Sequence, residues 1–216
     1  MKKPVIKKEN VVPLLETRFI KVFDLQYEPG AHYFDATRNG LDNITAIKND
    51  NEFRSMLPDA VTCAFIIIHN DEPYLYLSYE YRYPAGQYLL SPPAGLIDPD
   101  DRDSDDPLVL TTVRELFEET GINVSSENVS VVVPLVFSSP GFTDESNAIT
   151  CAVAEIDDLS SIKQTGAVGT ENFDGYVLIN KKEAQTVLAR GTDEHGNYYS
   201  AYTWMVLSYF VNNFKL

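Results

Sequence analysis

The sequence predicts a mixed α/β (α+β) domain with helices layered on a sheet, preceded by a small N-terminal β region. Three observations predict it. Apolar, β-rich runs recur before, between and after segments of helical periodicity. Two of those runs are separated by a four-residue polar turn, the pattern of a hairpin. The chain has 216 residues, 44% hydrophobic and 23% charged, which suits one full domain with an appendage. A change of pattern near Pro58 divides residues 1–57 from residues 58–216.

Within the first part, residues 16–37 read as two strands around Pro29-Gly30, and residues 41–57 hold one short helical possibility. Val61 to His69 is an apolar strand, Asn70 to Pro73 a turn, and Tyr74 to Arg82 an alternating strand. A short apolar piece, Tyr88 to Leu90, leads into Pro92-Pro93-Ala94-Gly95-Leu96-Ile97. The six aspartates between Asp98 and Asp106 read as loop. Asp106-Pro107 reads as a helix start, with an acceptor side chain at the cap and Pro at the first helical position. The helix continues to Thr120, where Gly121 stops it. Val129 to Phe137, Ala148 to Ile156 and Tyr176 to Ile179 are strands. Lys182 to Ala189 and Tyr199 to Phe214 are helices.

Several function classes are disfavoured. The longest apolar run, Ala64 to Ile68, is far below the ~18 residues of a membrane span. The basic start is followed only by Val11 to Leu15, broken by Pro13, so a secretory signal is not expected and a cytoplasmic location is. A formal charge of −15 with no basic patch argues against nucleic acid. Cys63 and Cys151 sit singly in apolar runs, and the three histidines are scattered, so zinc chemistry is not expected. No GxGxxG or Walker loop is present.

The informative segment is Arg114-Glu115-Leu116-Phe117-Glu118-Glu119-Thr120-Gly121-Ile122. On a helix Glu115 and Glu119 share one stripe, with Glu118 beside it. Like charges so placed repel, and either bulk water or bound cations must compensate. Alone, such a stripe is more often a solvated face. Its company, an arginine before it and a Pro-Ala-Gly loop upstream, changes the reading.

These residues resemble the box of the Nudix hydrolases, G-x5-E-x7-R-E-U-x-E-E-x-G-U with U apolar. Arg114 through Ile122 match every specified position of its second half. Gly95, within Pro-Ala-Gly-Leu-Ile-Asp, and Ser139-Pro140-Gly141 followed by Glu145 are similar to the ADP-ribose pyrophosphatase subgroup. The resemblance implies a Nudix-type α/β/α sandwich with a mixed sheet. It further implies a Mg²⁺-dependent hydrolase (Mn²⁺ able to substitute) that cleaves the pyrophosphate of ADP-ribose or another nucleoside diphosphate sugar. It places metal on Glu115, Glu118, Glu119 and the Ala94 carbonyl. Catalytic roles fall to Arg114, Glu118 and a general base, Glu171 first and Glu145 second. Substrate contacts fall to Arg82, Gly95 and Gly141. A homodimer formed through the N-terminal strands is also implied.

The sequence departs from that pattern in four places. Five extra residues lie between Gly95 and Arg114. The middle glutamate of the box becomes an aspartate, either Asp101 counted forward from Gly95 or Asp106 counted back from Arg114. Asp106 is favoured, because the helix fixes its distance to Arg114. Ser91 stands where the subgroup often has a glutamate, and Phe173 replaces the second acid of a Glu-x-Glu loop, with Asp174 one residue displaced. These losses motivate an alternative reading, a Nudix-fold nucleotide-binding or sensor module without turnover.

Overall fold

The computed structural model describes residues 3–164 and 171–215. By internal packing the chain divides into two compact units. Met1–Asp59 with Leu135–Asn147 form the first, and Ala60–Pro134 with Ala148–Leu216 form the second.

The first unit carries an antiparallel three-stranded sheet in the order β1 (Val11–Glu16), β2 (Lys21–Glu28), β3 (Ala31–Thr37). The third strand, β1, corrects the two-strand expectation. Pro13 breaks the sequence pattern there, but β1 is an edge strand, the place in a sheet where Pro is accommodated, and the register shifts between Pro13 and Leu15. Val11, Phe23 and Leu25 pack on Ile44 as a small core. A short α-helix, α1 (Asp50–Arg54), starts at an Asn49–Glu52 capping box.

Buried carboxylates tie the 135–147 segment to this sheet. Asp144 N–H donates to Asp35 Oδ1 at 3.0 Å, and Thr45 N–H donates to Asp144 Oδ2 at 2.8 Å. Burial, reinforced by the nearby Asp144 charge, pushes the Asp35 carboxyl up to about 6. The unfolded chain has this group near 3.9. The folded form therefore holds the proton to higher pH, and this contribution to stability is present below about pH 4 and lost as pH rises through about 6. Asp35→Asn keeps an acceptor for Asp144 N–H and removes the charge. It is expected to stabilise the protein at pH 7.5 by on the order of 1 kcal/mol, after allowance for solvent screening. Thermal unfolding from pH 4 to 8 checks this; a midpoint at pH 7.5 equal to or below the parent's contradicts it.

The second unit is built on a seven-stranded mixed sheet. Its strands are β4 (Ala60–His69), β5 (Glu72–Arg82), β6 (Gln87–Ser91), β7 (Ala94–Leu96), β8 (Val129–Phe137, its last three residues counted in the first unit), β9 (Ser146–Glu155, its first two residues likewise) and β10 (Phe173–Ile179). The order is β10-β5-β4-β9-β8, with β6 on β5 and β7 on β4. The expected hairpin of β4 and β5 forms with His69 opposite Glu72. Asn70 and Asp71 make its two-residue turn at φ 51° and 62°, the left-handed conformation that right-twisted strands require.

Strand β4 is apolar along most of its length, from Cys63 to Ile68, because both of its faces are covered. Phe65 and Ile67 face α3 (Pro107–Thr120), packing with Val109 and Leu116. Ala64 and Ile66 face the other way, with Ala184 of α4 (Lys181–Arg190) and Val206, Leu207 and Phe210 of α5 (Ala201–Asn212). Strand β5 splits its residues in the same way, Tyr76 to one side and Leu75 and Leu77 to the other. Helices on both faces make this unit an α/β/α sandwich. Cys63 and Cys151 are buried core residues, as expected. Among the described residues no helix is long and apolar enough to cross a membrane.

The aspartate-rich segment is not all loop. Asp98-Pro99 starts a one-turn helix, α2 (Pro99–Arg102), with Pro at the first helical position. Helix α3 starts after Asp106 at Pro107 and ends at Gly121 (φ 71°), as its sequence indicates. The Asp106 side chain, however, makes no capping bond; its backbone φ of −140° and ψ of 73° depart from the usual cap conformation.

Candidate active site

Helix α3 turns Glu115 and Glu119 inward while its start and stop signals fix where the helix lies. Both carboxylates are buried, at 8% and 6% exposure, whereas Glu118 lies at the rim. The stripe is therefore not a solvated face. Strand β7 meets it: Ala94 N–H donates to Glu119 Oε1 at 3.0 Å. Gly95 lies directly under Glu115, so close that a Cβ there would stand 1.8 Å from the carboxyl carbon. Only glycine lets strand and carboxylate approach in this way.

Arg114 organises the acids around it. Its Nη1 donates to Glu115 Oε1 at 2.7 Å and to Glu118 Oε2 at 3.2 Å. Its Nη2 donates to the Leu96 carbonyl at 2.9 Å. Nε and Nη2 both reach Asp101 Oδ2, at 3.1 and 3.0 Å. The orienting aspartate is thus Asp101, not Asp106. Helix α2 carries Asp101 back toward α3, so the five extra residues fall after the acid rather than before it, and counting back along the helix misplaces it. Asp101→Ala is expected to lower turnover about 10- to 100-fold, the usual cost of losing a group that orients a site. Asp106→Ala should leave the rate within about twofold. Parallel steady-state assays check the pair, and equal losses would contradict the assignment.

The electrostatics follow from burial. Desolvation pushes Glu115 up to about 7 against the pull of Arg114, and holds Glu119 well above the ordinary carboxylate range. Arg114 is partly desolvated, but the carboxylates around it, Glu115 foremost, hold its proton more firmly than usual.

Glu171 begins the segment leading into β10 and raises the pKa of Glu80, Glu115 and Glu119, so the four acids share one field. Glu80 is the residue that reading the sequence missed. Its signal was an acid in the same alternating phase of β5 as Tyr76, which faces the core. Arg82, two residues on, pairs with it at 2.5 Å. Phe173 opens β10 directly across from Glu80, and Asp174 is exposed beside a register shift. Thr170, at the start of that motif, lies outside the described residues. Ser91 is buried and pairs with Ser78 across β5 and β6. Glu145 and Gly141 belong to the first unit. There Glu145 accepts from Arg38 Nε at 3.0 Å, and the Gly141 carbonyl accepts from Tyr33 Oη at 2.8 Å.

The donor set suits a hard cation: carboxylate and carbonyl oxygens, with no thiol or imidazole. Two buried carboxylates on one stripe, cradled by a glycine, are a costly arrangement unless positive charge joins them. Among the described residues no group of three His, Cys, Asp or Glu side chains is gathered to hold a metal; one oxygen each of Glu115 and Glu118 accepts from Arg114, and one of Glu119 accepts from Ala94 N–H.

A mixed sheet between helices, with this arginine–glutamate motif on the helix that faces its Pro-Ala-Gly strand, resembles the arrangement of the Nudix hydrolases. The comparisons with known proteins agree. Over 81 residues the chain is 37% identical to the ADP-ribose pyrophosphatase of Mycobacterium tuberculosis (strain ATCC 25618 / H37Rv), covering 38% of this chain and 36% of that protein. Over 98 residues it is 32% identical to Nudix hydrolase 14, chloroplastic, of Arabidopsis thaliana, covering 42% and 30%. The matched segments thus span about a third of each relative's length. Among solved structures the fold matches that of an ADP compounds hydrolase with a TM-score of 0.57 at 19% identity, covering 96% of this chain and 91% of that one. No protein-family model matches the chain.

Proposed function

We propose that this protein is a cytoplasmic, divalent-cation-dependent hydrolase that converts ADP-ribose, or a related nucleoside diphosphate sugar, and water into AMP and a sugar phosphate, ribose 5-phosphate in the case of ADP-ribose. The observation that carries this reading is the buried Glu115–Glu119 pair held against Ala94 and Gly95. A diphosphate approaching such acids is repelled unless cations intervene, because at a few ångströms screening is weak.

Glu115, Glu118, Glu119 and the Ala94 carbonyl would hold Mg²⁺ or Mn²⁺, which neutralises the phosphate oxygens and acidifies water. Arg114, fixed by Asp101 and Leu96, keeps Glu115 and Glu118 in place. Glu171 accepts the proton of the attacking water. A new P–O bond forms in line as the bridging P–O bond breaks, and the displaced phosphate oxygen carries the pair of electrons away. Arg82 offers its remaining N–H donors to the diphosphate.

The experiment is incubation with Mg²⁺ or Mn²⁺ and a panel of ADP-ribose, nucleotide sugars, NADH and diadenosine polyphosphates, with nucleotide products separated and identified. Release of AMP with ribose 5-phosphate supports the proposal. Binding of ADP-ribose without any product points to the sensor alternative. We also propose a homodimer through the N-terminal strands, supported by the exposed apolar side chains Val12, Leu14 and Leu15 of β1.

A further inference from the structure

We infer that Glu80 is a positioning residue: it holds the Arg82 guanidinium at the acidic end of β5 and so sets the affinity for a diphosphate. This rests on the reading above, in which Arg82 meets the substrate.

Glu80 is an acid that the fold has little structural reason to keep. Glu80 lies within the sheet, its side chain only 15% exposed. Its cross-strand neighbours are Phe173 on β10 and Leu89 on β6, both apolar, so neither residue directly across from it offers a donor side chain. Burial and the charge of Glu171 raise its pKa, while Arg82 opposes them. Half-burying a carboxylate among apolar neighbours and like charges is unfavourable unless a counter-charge is held close. Arg82 is that counter-charge, with Nη2 at 2.5 Å from Oε2.

The pairing serves Arg82 as much as Glu80. Arg82 is the last residue of β5 and 45% exposed, so its long side chain would otherwise sample many rotamers. Two residues apart on one strand, the pair share a face. One edge of the guanidinium is thereby fixed, which leaves N–H donors on its other edges for an anion. Holding the fork before substrate arrives reduces the ordering cost of binding.

The test is a double-mutant cycle with Glu80→Ala, Arg82→Ala and both together, plus Glu80→Gln, in the full chain. With ADP-ribose and Mn²⁺, Glu80→Ala is expected to raise KM on the order of 10-fold while kcat stays within about threefold. Arg82→Ala should raise KM at least as much, and adding Glu80→Ala to it should change nothing further. Glu80→Gln, which still presents an oxygen to the guanidinium, should recover much of the loss. An independent, equal rise of KM in the Arg82→Ala background overturns the inference, as does a fall in kcat at unchanged KM. If the unsubstituted protein turns over no nucleotide, the proposed function fails. The same cycle read by thermal unfolding still decides this point: non-additive midpoints support the Glu80–Arg82 coupling and additive ones overturn it.

Discussion

Gly95→Ala is expected to remove most turnover while leaving the protein folded. The added methyl group would fall 1.8 Å from the Glu115 carboxyl carbon and from Oε1. Backbone is not what it strikes: the atoms in its way are the far end of a side chain, which can swing aside. Swinging aside, however, takes Glu115 off Arg114 Nη1 and out of the stripe it shares with Glu119. A displacement of about 1 Å at a reacting centre costs on the order of 100-fold in rate. The unfolding midpoint should fall only slightly, because the strand's pairing with Val61 is untouched. Circular-dichroism melts and initial rates on the same preparation check this. Undiminished turnover would mean that the position of Glu115 does not matter.

Glu119→Gln should have the larger effect. The amide keeps an oxygen that can accept from Ala94 N–H, and it fits the same buried space. Only the charge is lost. On the present account that charge is the reason the residue is there, so turnover should fall on the order of 10³-fold, about 4 kcal/mol of barrier. Stability should stay level or rise, since an unfavourably buried carboxylate becomes neutral. Loss of activity with gain of stability is a signature that a merely structural glutamate would not give. Retained turnover, or a collapsed fold, would contradict it.

The layered fold and the helical half of the site were legible in the sequence because local rules agreed with the global structure there. Pro107 and Gly121 bracket α3, and the 3.6-residue period then places Glu115 over Glu119. What was not legible depended on tertiary return. Asp101 reaches Arg114 only because a one-turn helix folds the aspartate segment back, which no count along the chain contains. Glu80 matters only once β10 and β6 flank β5. Strand β1 was hidden by Pro13, which is tolerated because nothing pairs beyond it. Positions 91 and 173 carry no acid, and Glu80 of β5, opposite Phe173, supplies one instead.

The central claim is that the inward carboxylates of α3 exist to gather divalent cations. Crystals soaked in manganese, with and without a non-hydrolysable ADP-ribose analogue, test it most directly through anomalous scattering. The account predicts a peak within coordination distance of Glu115 and Glu119 and the Ala94 carbonyl, strengthened by the analogue and missing in Glu119→Gln. A clean map at those side chains in the presence of the analogue would contradict it.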